Sequence, residues 1–305
     1  MKNSPFYNQA RAMLNVLPYV MREQCFALKG GTAINFFVRE MPRLSVDIDL
    51  TFLPIQDRET SLREIGAALT RIAKYINSEM PQFKTQEVRQ KYTTHVTKLD
   101  VLAFDQPVRI EPNATLRGAV LATEKRPLVK RCQTEFSLAV DVRTLNFSEL
   151  YAGKLCAALD RQHPRDLYDV RLLLANEGIT DDIRRTFVAY LCGHDRPISE
   201  LIEPTRKDFR SLFETELAEM TTDDVSHDDL VKSREELIVT LSKSLTENER
   251  QFLVSVKEGT PKWDLLGMPG IEKLPSIQWK LMNIKKMTPK KHKEALSKLK
   301  QKLGL

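Results

Sequence analysis

The 305-residue chain has little from which a sulfur or imidazole metal site could be built. Its four cysteines, Cys25, Cys132, Cys156 and Cys192, are scattered and form no CxxC pair. That argues against both a zinc ribbon and a disulfide framework. They read instead as buried, reduced thiols. The five histidines are also dispersed, with no HxH or HxxxH, so a histidine-based metal centre is not expected. No segment approaches the roughly 20 apolar residues of a membrane helix. The first residues contain no unbroken apolar run, Arg11 interrupting it, so no signal peptide is expected. These absences predict a cytoplasmic protein with no membrane partner.

Net positive charge is confined to one place. Between Lys280 and Leu305 there are nine lysines, no arginine and a single acid, Glu294. The remainder has 38 basic and 40 acidic residues, so the whole excess of +6 is carried by the tail. Its lysines alternate with Leu296, Leu299 and Leu303, as in an amphipathic helix. Lys285, Lys286, Lys290 and Lys291 are candidates for RNA phosphates through counterion release, with a solvated helix face as the alternative. Trp263 and Trp279 are expected in the core, base stacking being the other reading.

Hydrophobic periodicity divides the chain in two. Up to about residue 147 helices and strands alternate. Helical spacing covers 7–22 and 58–78, and strands are expected at CFALKGG, RLSVDIDLTFL, HVTKLDVLAF, PVRIEPN and FSLAVDVRTL. TAINFFVRE reads as a helix capped by Thr32. From 148 to 305 amphipathic helical segments dominate, the first capped by Ser148. The expected architecture is a mixed α/β domain, 1–147, followed by a mainly helical domain, 148–305.

Chemistry concentrates in two stretches. In KGGTAINFFVREMPRLSVDIDL, residues 29–50, Asp47 and Asp49 are two apart on a predicted strand and share a face, while Val46, Ile48 and Leu50 face a core. Two adjacent carboxylates repel unless a cation lies between them, and magnesium suits oxygen ligands and phosphates. Gly30 and Gly31 end one strand and open a helix, where backbone amides attract anions. Lys29 adds a charge. Arg43 and Ser45 either contact phosphate or brace the loop. Glu111 is the candidate third carboxylate, with Asp100 behind it. In the second stretch, residues 149–174, Lys154 and Arg161 share a helix face, and Lys154, Arg165, Asp166 and Asp169 cluster around one helix turn, with acids that merely complement the helix dipole as the alternative; Gly153 implies a close approach there.

LKGGTAINFF, RLSVDIDLTF, VRIEPNATLRG and ELYAGKLCAALDRQHPRDLYDVRLLL resemble, in that order, the AbiEii/AbiGii-type toxins of bacterial toxin–antitoxin systems, relatives of the MenT toxins. The resemblance implies a DNA polymerase β-like nucleotidyltransferase core joined to a helical C-terminal domain. It places the family's GG and DxD elements on Gly30, Gly31, Asp47 and Asp49, its essential lysine on Lys154, and its RDxxD aspartates on Asp166 and Asp169. It implies a nucleoside triphosphate bound with Mg²⁺, with CTP, GTP or another base undecided. Lys29, Gly30, Gly31, Thr32, Arg43, Ser45, Arg165 and Asp169 would line the nucleotide. The nucleotide would be transferred to RNA, at the tRNA 3′ end in the MenT relatives. It also implies a separately encoded antitoxin, possibly of winged-helix type. A protein or small-molecule acceptor, and a catalytically silent nucleotide-binding regulator, are the competing functions.

Overall fold

The computed structural model describes residues 2, 4–89 and 95–305. The helices are α1 (Pro5–Val20), α2 (Gly30–Phe37), α3 (Arg58–Glu79), α4 (Lys130–Phe136), α5 (Phe147–Asp160), α6 (Pro164–Ala175), α7 (Asp181–Gly193), α8 (Ile198–Ile202), α9 (Arg210–Glu216), α10 (His227–Ser244), α11 (Glu247–Glu258), α12 (Pro275–Lys285) and α13 (Pro289–Leu303). The strands are β1 (Phe26–Leu28), β2 (Ile48–Phe52), β3 (Lys84–Arg89), β4 (Val96–Ala103), β5 (Gln106–Pro112), β6 (Glu124–Pro127) and β7 (Asp141–Thr144). All seven strands join one sheet in the order β3-β4-β5-β2-β1-β7-β6.

The sheet is mixed. β2 runs antiparallel to β1 and parallel to β5, and β1 runs parallel to β7. Its register sorts the side chains into two faces, because successive residues of a strand point oppositely. Ile48, Ile110 and Leu99 line up across β2, β5 and β4, all fully buried. They belong to the face that receives α1 and α3, whose apolar stripes carry Met13, Leu17, Ile65, Leu69 and Ile72. The opposite face takes the alternate residues: Asp49 stands beside Glu111, and Asp100 beside Arg109.

The chain packs as two compact units, Met1–Leu150 with Glu214–Asp224, and Tyr151–Phe213 with Val225–Leu305. A single cut at 147/148 does not describe this grouping, because Glu214–Asp224 returns to the first unit. The return has a local cause. Leu44 N–H donates to Met220 O (2.8 Å), Thr221 Oγ1 donates to Pro42 O (2.8 Å), and Arg43 and Thr221 form an isolated bridge. These contacts hold the segment that leads into the aspartate pair.

The second unit is helical. α10 packs on α6, α11 and α12 on α7, and α13 on α8 and α11. Side-chain caps set several helix starts: Thr180 caps α7, and Ser226 with Asp229 and Thr246 with Glu249 form capping boxes on α10 and α11.

Four local expectations differ from the structure. Helix α2 begins at Gly30, so Thr32 lies inside its first turn rather than capping it. Asn146, not Ser148, accepts an N–H at the start of α5, from Ser148 N at 2.9 Å. The strand expected over FSLAVDVRTL is limited to Asp141–Thr144, because Phe136 ends α4 and Ser137 turns left-handed. The strand expected over RLSVDIDLTFL begins only at Ile48.

Candidate active site

In the first unit the geometry is set by a glycine. Gly30 has φ +72°, a region that costs other residues about 1–2 kcal/mol. A Cβ placed on it would lie 2.5 Å from Asp49 Oδ2. The carboxylate therefore rests against bare backbone at the first residue of α2. The strand pairing carries the same alignment, Lys29 N–H donating to Asp49 O at 2.9 Å. Lys29, the N-cap, makes no side-chain cap bond, so the first amides of α2 are not closed by it. Helix-start amides carry partial positive charge and suit an anion.

Gly31 is required for a different reason. A Cβ there would meet an Arg43 guanidinium nitrogen at 2.7 Å and Ser45 Oγ at 3.1 Å. Arg43 is only 2% exposed and donates to Leu44 O (2.8 Å). Buried Ser45 lies 2.9 Å from Thr32 Oγ1, which donates to Asp47 O (2.6 Å). Arg43 and Ser45 thus lie against Gly31, with Arg43 holding the Leu44 carbonyl and Ser45 beside Thr32. Thr32 reaches the backbone of Asp47 from the helix.

Asp47 is exposed just before β2, and Asp49 is half-buried within it. Glu111 is in register with Asp49 on β5, but its carboxylate is engaged by Lys98 Nζ at 2.8 Å. Among the described residues no three Asp, Glu, His or Cys side chains are gathered as a metal-holding group. Glu111 thus stands in register with Asp49, and in this structure its carboxylate is paired with Lys98. Asp100, the other candidate, is taken by Arg109, at 2.8 and 3.1 Å. Arg109 is held above its ordinary pKa first by that bond, with Glu111 and Asp47 adding to it. Lys98 and Arg109 escaped the sequence reading. Their only signal is parity: 98 and 100, and 109 and 111, fall on the face of the acids.

Two carboxylates nonetheless fit magnesium, which binds through one or two carboxylates and completes its shell with substrate phosphates and water. Asp47 and Asp49 are the two carboxylates that could serve in this way, next to a glycine that leaves backbone uncovered.

The second unit holds a buried ionic cluster. Lys154 Nζ on α5 lies 2.8 Å from Asp166 Oδ1 and 2.9 Å from Asp169 Oδ2, both on α6, and all three side chains are at most 6% exposed. Arg161 adds a bond to Asp166 Oδ2 at 2.7 Å. Burial alone would raise the Asp166 pKa, but Lys154 and Arg161 outweigh it and hold the carboxyl well below its usual range. The spacing of RDxxD explains the pair, since i and i+3 share a helix face. Pro164 occupies the first turn of α6 and His163 caps it, accepting from Arg165 N–H. Arg165 itself is half-exposed. The close approach implied by Gly153 is real: Tyr190 of α7 would sit 3.3 Å from its Cβ.

In the tail, Lys285, Lys286, Lys290 and Lys291 are all exposed. Trp263 is half-buried against Phe252, with centroids 5.8 Å apart. Trp279 is not a core residue; it is 49% exposed. An open cavity of about 440 Å³ on α3, β3 and β4 had no sequence signal. Arg63, Arg71, Lys74, Arg89 and His95 line it, but Arg71 and Arg89 are already paired with Glu23 and Glu87.

The glycine turn, the aspartate pair and the Lys154 cluster coincide with a family match. The model described as "Nucleotidyl transferase AbiEii toxin, Type IV TA system" matches residues 11–282. The chain belongs to the AbiEii nucleotidyltransferase toxin family. It is accordingly a nucleotidyl-transfer enzyme of a toxin–antitoxin system, and membership implies a cognate antitoxin. Among solved structures it is similar to MenT4, a nucleotidyltransferase toxin from Mycobacterium tuberculosis H37Rv, at a TM-score of 0.58 and 15% identity. The alignment covers 97% of this chain and 94% of that one, and at this identity it shows the fold. A search of curated proteins returns no match. Among the described residues no helix is long and apolar enough to cross a membrane.

Two outcomes follow for this AbiEii protein. Gly30→Ala is expected to lose activity and more stability than Gly178→Ala, checked by urea denaturation. Both positions have positive φ, but a Cβ at Gly178 meets nothing within 4 Å, so the difference measures displacement of Asp49. Asp166→Asn is expected to cost about 3 kcal/mol at neutral pH, as a broken buried pair does. Because the folded pKa is depressed, this stabilisation is complete above the unfolded value of about 3.9 and is lost as pH falls below it. The denaturation midpoints of the two proteins should therefore converge in acid.

Proposed function

We propose that this toxin transfers a nucleotide from a nucleoside triphosphate to an RNA acceptor, the tRNA 3′ end being the acceptor tested first. The observation that supports the reading is the contact between the Asp49 carboxylate and Gly30, at the start of a helix whose N-cap residue makes no side-chain cap bond. Negative phosphates and a cation have complementary places there within a few ångströms.

In this mechanism Gly30, Gly31 and Lys29 receive the β and γ phosphates. Asp47 and Asp49 would hold Mg²⁺, which when bound neutralises charge on the phosphates. Thr32 keeps the backbone of Asp47 in place against the pull of that charge. An acceptor hydroxyl attacks the α-phosphorus, a new P–O bond forms, and the bond to the β-phosphate oxygen breaks to release pyrophosphate. The hydroxyl proton leaves to solvent or to a neighbouring base. Catalysis of this kind comes from positioning and electrostatics rather than from a covalent protein intermediate. Lys154, the cation the family resemblance assigns to nucleotide charge, is oriented by Asp166 and Asp169 and cannot swing freely.

The basic tail favours RNA over a protein or small-molecule acceptor, since polyanion binding is where unpaired lysines contribute most. Incubation with total tRNA, Mg²⁺ and each labelled triphosphate in turn tests donor and acceptor together. Label is expected on tRNA with one nucleotide. Metal stabilisation of transition-state charge is worth several kcal/mol, so Asp49→Ala is expected to reduce the rate by about 10³-fold or more. Label on protein in a cell extract, with none on tRNA, would replace the acceptor. Turnover that survives Asp49→Ala would remove the metal assignment.

A further inference from the structure

The consecutive helices α12 and α13 carry an aromatic ring and four lysines that neither the fold nor the proposed nucleotide site uses. Ser276, Ile277, Leu281 and Ile284 are the buried residues of α12. Trp279, Met282, Asn283 and Lys286 follow the i, i+3, i+4, i+7 spacing of one helix face, and all four are exposed. Trp279 at 49% and Met282 at 37% are among the most exposed large apolar side chains of the protein. Core packing does not require a tryptophan there. The face is firmly based, because Lys280 Nζ donates to His194 O (2.6 Å) and Arg196 O (2.5 Å).

Charge along α12 and α13 is divided in the same way. Lys298, Lys300 and Lys302, late in α13, reach Glu200, Glu258 and Glu203. Lys285, Lys286, Lys290 and Lys291 have no ion-pair partner among the described residues, and Glu294 is the single acid of residues 280–305. Lys290 and Lys291 also stand in the first turn of α13, which holds no acid and has no side-chain cap bond. Lysines there oppose the helix dipole, so helix stability does not account for them. An exposed aromatic ring with an unpaired lysine on its own helix face, followed by further unpaired lysines at the start of the next helix, supplies the two kinds of group by which proteins hold single-stranded nucleic acid without reading its sequence.

We propose that Trp279 is a stacking platform for an unpaired base, and that Lys285, Lys286, Lys290 and Lys291 take the flanking phosphates of the same RNA strand. From Trp279 to Lys286 the helix rises about 10 Å, so a short stretch of strand spans the ring and the first of these lysines. Choosing RNA over DNA rests on the acceptor proposed above; the surface itself follows from the exposed face of α12 and the start of α13.

The test uses the full chain and a short oligoadenylate, without triphosphate or Mg²⁺, in a Trp263→Phe background where Trp279 is the sole tryptophan. Fluorescence is expected to be quenched saturably as oligoadenylate is added. Anisotropy of a labelled oligonucleotide follows binding in the variants. Stacking energies measured by alanine substitution correspond to about 5- to 150-fold in affinity, so Trp279→Ala should weaken binding within that range and Trp279→Phe should restore part of it. Replacing the four lysines by glutamine should lower the salt slope by about 3. Affinity and slope unchanged in both variants overturn the platform, as does quenching that depends on protein concentration rather than on RNA. Thermal unfolding of Trp279→Ala should match the parent. The two readings separate cleanly. Oligoadenylate binding that needs Trp279, without label on tRNA, keeps the platform and drops the acceptor. Transfer to tRNA with an unchanged KM in both variants does the reverse.

Discussion

The contact on which the candidate active site depends is between a carboxylate and an absent side chain. Asp49 Oδ2 occupies the space that a Cβ on residue 30 would fill. The left-handed backbone of Gly30 turns the chain from β1 into α2 at that point, so strand end, helix start and acid meet with nothing between them. Burial elsewhere supports this small arrangement. Arg43, among the largest fully buried side chains, lies under Gly31, and Met220 and Thr221 hold the backbone on either side of it. A long cationic side chain enclosed in this way is expensive unless its donors are satisfied. Its cost is borne beside the residues whose position matters most for chemistry.

Electrostatics in the second unit follow a different rule. Lys154, Asp166 and Asp169 are removed from water and meet one another at hydrogen-bond distance. Such a cluster contributes little net stability compared with apolar packing, and its breakage is costly. Its physical effect is to fix an ammonium group in one place. A lysine on the surface would retain its rotamer freedom and could not be positioned so narrowly.

Parity explains much of what was legible. Asp47 and Asp49, or Lys98 and Asp100, are two apart, and the period of a strand puts each pair on one face whatever the sheet order. Asp166 and Asp169 obey the corresponding helical rule, and their shared contact with Lys154 follows from it. Gly30 and Gly31 were visible as glycines, but their reasons were not: one is needed for an acid 19 residues on, the other for an arginine 12 residues on. Glu111 shows the limit most clearly. Its strand face was correct, yet the ion pair with Lys98 depends on β4 lying beside β5, which no local pattern states.

The amino-acid sequence by itself determined the mixed α/β class, the helical second half, the family and the residue types available for phosphate and metal, because these follow from periodicity, spacing and composition. Tertiary structure alone decided which charges are already spent. Lys98 on Glu111, Arg109 on Asp100, and Lys302 on Glu203 are matched by chain segments far apart in sequence or joined only through the sheet. It likewise decided that Arg43 is buried and Trp279 is not. Exposure is a property of what packs against a residue, and a residue's neighbours in space are chosen by the fold.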